Sequence, residues 1–189
     1  MLAGDSARVG LGMVDPRPAG ASEMRSRAID VVVLGVNGSR GDAEVGASVV
    51  ALLRGRVPTE VRLLSSAELG RDFAALDGAT HVLVIDCVDV GREPGAVVLF
   101  DGDMLSPCIA QVTFRDLDIV HHLVLAGQHA DAPEEIALLG VQSVLTQAEG
   151  LSHEVEAAVP KLVEEAAAVV GSWLDHAAPG PTRAKAPGC

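Results

Sequence analysis

The sequence predicts an α/β fold, a three-layer sandwich around a mostly parallel sheet, and three observations carry that prediction. The core is aliphatic: hydrophobic residues make up 49% of the 189-residue chain and aromatics only 2%, which leaves Val, Leu, Ile and Ala to fill it. Such a diet suits parallel strands buried on both faces beneath Ala-rich helices. Continuous apolar runs of strand length recur, "IDVVVLGV" (29–36) being the clearest. Between them, apolar residues return at helical spacing, so strand and helix alternate along the chain.

Taken in order, residues 1–27 mix Arg, Asp, Pro and Gly and read as a flexible tail. The ordered domain is expected over 28–176. The strand at 29–36 is followed by a helix near 43–54, where Val45, Val49 and Leu52 share a face. "TEVRLL" (59–64) reads as a second strand, and Leu69, Phe73 and Leu76 predict a short helix over 66–76. "THVLVID" (80–86) is a third buried strand with its acid at the carboxyl end. "GREPG" (91–95) is a turn, because Pro fixes φ and Gly admits φ > 0. "AVVLF" (96–100) follows as a strand nearer an edge. Leu117, Val120, Leu123 and Val124 mark a helix after Arg115, and "EEIALLGV" (134–141) is another buried strand. The last helix starts at Ser152, a favourable N-cap residue, with Glu154 and Glu156 in its first turns. Its stripe runs Val155, Val159, Leu162, Val163, Ala166, Val170, Trp173, with Pro160 expected to kink it. The Pro-, Gly- and Ala-rich segment 177–189 reads as a disordered tail.

Charge and cysteine usage narrow the function. A formal net charge of −12 repels DNA, RNA and anionic membranes, so neither nucleic acid nor membrane is an expected partner. The apolar stretches fall short of the ~20 residues that cross a bilayer. The first 27 residues lack an apolar h-region and do not read as a secretory signal. Cys87, Cys108 and Cys189 form no CxxC pair and no zinc spacing, so a cytoplasmic protein is expected.

In a mostly parallel sheet, sites gather at the carboxyl ends of the strands. Three polar clusters fall there: 37–44, Asp86 with Asp89, and Gln142 with Ser143. Gly35, Gly38 and Gly41 form a G-x-x-G-x-x-G loop between strand and helix. That loop admits a nucleotide-binding reading, since glycines let backbone N–H groups approach a pyrophosphate. The spacing is not G-x-G-x-x-G, however, and Asp42 and Glu44 would repel phosphate, so a Gly-rich βα turn is favoured. Asp86 ends an apolar run, where a charge faces desolvation unless paired. It reads either as a turn cap or as a metal or substrate ligand. His121 and His122 project about 100° apart on a helix and do not chelate one ion. No H-E-x-x-H and no G-x-S-x-G occurs.

Four segments in order resemble the peptidase family that matures nickel–iron hydrogenases. "VVVLGVNGSRGDAEVGASVV" is similar to the family opening, V-L-G-I-G-N leading to G-D-D/E-G-x-G. "HVLVIDCVDVGREPGAVVLF" resembles its apolar strand followed by D-A-V, a glycine and P-G. "APEEIALLGVQS" resembles P-x-x-V-x-V-x-G-V/I-Q-P, and "EGLSHEVEAAVPKLVEEAAAVV" its G-L-S-x-x-V closing helix with an internal proline.

The resemblance implies an α/β/α protein with a twisted, mostly parallel sheet. It also implies an endopeptidase that removes a C-terminal extension from the hydrogenase large-subunit precursor after nickel insertion. The alternative it leaves is a non-catalytic relative acting as a large-subunit chaperone or assembly factor. No tightly bound cofactor is implied, the nickel being carried by the substrate. Family members sense that metal with an acid of the G-D-D/E-G loop, the aspartate of D-A-V, and a histidine before the next helix; carboxylates and imidazole suit such an ion. Matched residue by residue, Asp42 takes the place of the first loop acid, Ala43 that of the liganding acid, and Glu44 that of the usual glycine. Asp86 matches the D-A-V aspartate, and Arg115 stands at the histidine position, where it stays protonated and is no ligand. Asp86 and Glu44 are therefore the expected catalytic and metal-contacting residues. Asp42 and Arg115 are the expected substrate contacts.

Overall fold

The most apolar run of the chain becomes β1 (Val31–Gly35), in which all five residues are buried. The computed structural model describes residues 28–38, 40–69, 74–101, 132–144 and 149–177. Four more strands follow: β2 (Arg62–Ser65), β3 (His81–Val88), β4 (Val97–Asp101) and β5 (Glu135–Gln142). They form one sheet in the order β2-β1-β3-β5-β4, parallel except for β4, which runs antiparallel to β5 on the edge. The mostly parallel sheet with packed helices is the fold class the sequence predicts.

Register explains why the strands are apolar throughout. Successive residues point to opposite faces, and both faces are covered. On one face, Val33, Leu83, Ile85, Leu139 and Val141 pack with α1 (Val45–Leu53) and α2 (His153–Ala177). On the other, Leu34 pairs with Val84 and Val84 with Leu138. Leu69 and Ala79 join that layer.

Helix α2 is the 25-residue closing helix expected from Ser152, whose Oγ accepts the Val155 N–H at 3.4 Å. It runs on through Pro160, which costs a helix interior ~3 kcal/mol or more. The stripe outweighs that cost: Val155, Leu162, Val163, Val170 and Trp173 are all buried, and each large aliphatic burial contributes ~1.5–3 kcal/mol.

Two expectations need correction. The helix expected over 66–76 is, in its described part, two short 3-10 turns, Ser66–Glu68 and Ala74–Leu76. A Ser65/Glu68 capping box opens the first. At the far end, the Arg62 guanidinium takes the carbonyls of Ala75 (2.6 Å) and Asp77 (3.4 Å), turning them away from further helical bonds. The third strand is also longer than 80–86, since Cys87 and Val88 go on pairing with Val141 and Gln142. Asp86 is thus inside β3 rather than at its end. The helix expected after Arg115 and both terminal tails lie outside the described residues.

The amino end of the sheet is tied by polar contacts. Asp30 receives Arg62 Nε at 3.0 Å and Nη2 at 2.9 Å. Thr80 Oγ1 accepts the Asp30 N–H at 2.8 Å. His81, at the start of β3, lies against Trp173 with ring centroids 5.1 Å apart.

Candidate functional site at the carboxyl end of the sheet

At the other end, four polar residues are buried: Asp42, Asp86, Gln142 and Ser143. Close backbone packing brings their elements together. A Cβ on Gly46 would stand 2.4 Å from the carbonyl oxygens of both Ile85 and Val36. Only glycine therefore lets the start of α1 press onto the ends of β1 and β3. The 3-10 turn Gly41–Glu44 leads directly into that helix and begins on Gly41 at φ 66°.

Asp86 is 1% exposed, and its Oδ1 accepts the Cys87 N–H at 2.7 Å. Its register partner on β5 is Gly140, so no side chain stands across from the carboxylate on that strand. Asp86 thus lies within β3, two residues short of its carboxyl end.

The acidic loop divides its residues among different tasks. Asp42 is 4% exposed. Its Oδ2 accepts the Val144 N–H at 2.8 Å and its Oδ1 the Ser152 N–H at 2.7 Å. The carboxylate expected to meet substrate thus has each oxygen engaged by the backbone, one at the end of β5 and one at the start of α2. Ala43 is buried in the core that includes Ile85 and Cys87, and its carbonyl accepts the Gly38 N–H at 2.8 Å. Glu44 is half-buried, and its carbonyl accepts Ser48 Oγ at 3.1 Å. Arg115 lies outside the described residues. Among the described residues, no group of three His, Cys, Asp or Glu side chains is placed to hold a metal ion.

Gln142 has a role that sequence reasoning missed. Its Oε1 accepts the N–H groups of Val90 (2.9 Å) and Arg92 (3.0 Å). Its Nε2 donates to Asp89 Oδ1 (3.1 Å) and to the Ser143 carbonyl (3.3 Å). The backbone adds Gly95 N–H to Gln142 O at 2.9 Å. One amide, using both its donors and its oxygen, fastens the 89–95 loop to β5. The signal was the polar "QS" ending an apolar strand, but nothing local named its partners.

Solved structures share this architecture. Hydrogenase maturating endopeptidase HybD from E. coli superposes with a TM-score of 0.63 at 21% identity, covering 77% of this chain and 94% of that one. The NiFe hydrogenase maturation protease HybD from Thermococcus kodakarensis gives 0.60 at 22% identity, covering 75% and 99%. Hydrogenase 2 maturation peptidase from a Thaumarchaeota archaeon gives 0.55 at 26% identity, covering 75% and 97%. The fold is thus that of the maturation endopeptidases. A sequence model of the hydrogenase maturation protease family, HycI, matches residues 55–169, and the chain belongs to that family. No curated protein matches it.

Proposed function

We propose that this protein is a divergent endopeptidase that acts on the nickel-loaded large-subunit precursor of a nickel–iron hydrogenase and removes its C-terminal extension. The family match over 55–169, which contains Asp86 and the loop that Gln142 holds, carries this reading. In it, Asp86 and Glu44 supply carboxylates toward substrate-borne nickel, and Arg115 meets a carboxylate or the backbone of the precursor. No helix among the described residues is long and apolar enough to cross a membrane.

One observation favours a second reading, a non-catalytic large-subunit chaperone. Ala43 buries a methyl group where the family places a liganding acid, and both oxygens of Asp42 are engaged by the backbone. The loop then brings only Glu44 to a metal. Mixing the protein with nickel-loaded precursor and recording its mass separates the two. Loss of the extension, abolished by Asp86→Ala, supports the peptidase. An intact precursor that co-elutes with the protein supports the chaperone. An intact precursor that does not co-elute rejects both.

A further inference from the structure

We propose that the outer edge of β4 is a docking strand, to which the C-terminal extension of the precursor adds in extended form as a sixth strand. The inference deepens the proposed function and rests on it, since it names where that substrate's extension is held.

The pairing of β4 determines which of its groups face outward. The Gln142 N–H donates to the Ala96 carbonyl at 2.9 Å, so Ala96 faces β5. Inward and outward residues alternate along an antiparallel strand. Val98 and Phe100 therefore turn their N–H and carbonyl groups to Gly140 and Leu138, while Val97 and Leu99 turn theirs away from the sheet. Among the described residues, none hydrogen-bonds those outward groups. The Leu99 side chain stands beside them, 42% exposed.

The two edges of the sheet differ. β2 has four residues, starts on the charged Arg62, and has its last N–H, that of Ser65, taken by Glu68 Oε2 at 2.7 Å. Charges and short length keep an edge from pairing. Val97–Phe100 carries neither a charge nor a proline. Its open backbone groups select the chemistry of the occupant, because an extended main chain offers N–H and carbonyl groups at the matching spacing.

A peptide is favoured over a second copy. Pairing two β4 edges would join five residues from each chain and cover one exposed large apolar side chain on each, Leu99. That falls well short of the ~1,600 Å² of a standard stable interface. The extension needs no such area, because the folded body that carries it makes contacts of its own and raises its local concentration.

Position supports the same occupant. Val98 and Asp86 stand on either side of Gly140, in one row across the sheet. A strand added outside β4 would run three strand spacings from β3, about 14 Å. The extension would thus lie alongside the row that holds Asp86, at a reach of about four extended residues.

The test follows amide exchange in the full-length protein alone, with nickel-loaded precursor, and with nickel-loaded precursor truncated before its extension. In the free protein the Val97 and Leu99 amides should exchange fast and those of Val98 and Phe100 slowly. The complete precursor should slow Val97 and Leu99, and the truncated one should not. Leu99→Pro removes an outward N–H and leaves the bonds to β5 in place, since an edge strand tolerates proline. It should weaken binding of the complete precursor about fivefold or more, the effect of losing one hydrogen bond, and leave affinity for the truncated precursor unchanged. Leu99→Lys keeps the N–H and adds a charge that opposes edge pairing. It should act in the same direction, and it serves if the proline variant fails to fold. Bound precursor with Val97 and Leu99 exchanging as fast as before overturns the proposal, and so does an equal loss of affinity for both precursors. Slowing of these amides that grows with the concentration of the protein alone assigns the edge to a second copy and overturns it too. If no precursor binds, the proposed function fails, and this inference falls with it.

Discussion

Gly46 lies against the carbonyl oxygen of Ile85 so closely that a single added carbon would stand 2.4 Å from it. The neighbours at that point are backbone atoms of Val36, just past β1, and of Ile85 in β3, which cannot rotate aside. The contact seats the acidic turn over the sheet next to Asp86.

Gly46→Ala should therefore push α1 off the sheet. Overpacking costs typically 1–3 kcal/mol, and backbone neighbours put this site at about 3 kcal/mol. Denaturant unfolding measures it, and a loss below about 0.5 kcal/mol, the level of an ordinary surface change, would show that the helix start is free to give.

The Asp30–Arg62 pair is bidentate, but its side chains are 33% and 34% exposed. Exposed pairs contribute ~0–1 kcal/mol, and the two-pronged geometry favours the upper end. Arg62→Met should lose ~1–2 kcal/mol in all, because the Ala75 carbonyl also loses its donor. A double-mutant cycle with Asp30→Asn should show a coupling near 1 kcal/mol that shrinks in high salt. Zero coupling would reduce the pair to a crystal-like coincidence of geometry.

Glu68 titrates below its ordinary 4.5, first because the Ser65 N–H bonds its carboxylate and second because the Ser65 hydroxyl does. A carboxyl depressed on folding stabilises the protein above its unfolded pKa, and that contribution fades as pH falls through the lower folded value. The capping box should therefore persist somewhat below pH 4.5 and be lost only as pH falls through the lower folded value. Ser65→Ala removes the hydroxyl but not the N–H, so an NMR titration should find Glu68 moved only part of the way back up. A full return to 4.5 would mean that the hydroxyl, not the backbone, dominates.

Ala43 faces the core, and Ala43→Glu alone should lower the unfolding temperature, since a carboxylate at a site 4% exposed lacks a partner. With Arg115→His added, Asp86 and the two new side chains complete the family's ligand set, and nickel should then raise the unfolding temperature. The unmodified protein should show no such response. A tight nickel site in the unmodified protein, lost in Glu44→Ala, would make Glu44 a displaced ligand and reverse the assignment.

What was legible in the sequence follows from where each signal is written. β1, β3 and β5 are buried on both faces, and that burial prints continuous Val/Leu/Ile runs. β4 was readable as an edge because a Pro-Gly turn precedes it. The 3-10 turns in the described part of 66–76 were not readable, because the group that takes the Ala75 and Asp77 carbonyls is the guanidinium of Arg62, on the preceding strand. The partners of Asp42 were not readable for a related reason. An acid in a glycine-rich loop reads as functional, while the backbone groups it binds lie 102 and 110 residues away. The family resemblance singled out Asp86, Ala43 and Glu44 as expectations, and only the folded chain showed which partners the residues of the loop engage.

Trp173 is the only tryptophan in the chain, and it sits beside His81 at the beginning of β3. Asp86 is five residues further along the same strand, about 17 Å at the rise of a β-strand. Intrinsic emission therefore watches the wrong end of the molecule. It will report unfolding, but a precursor docking at the opposite end can leave it silent. A flat fluorescence titration should not be taken as an absence of binding; a reporter placed on the exposed 89–95 loop would see what the native chromophore does not.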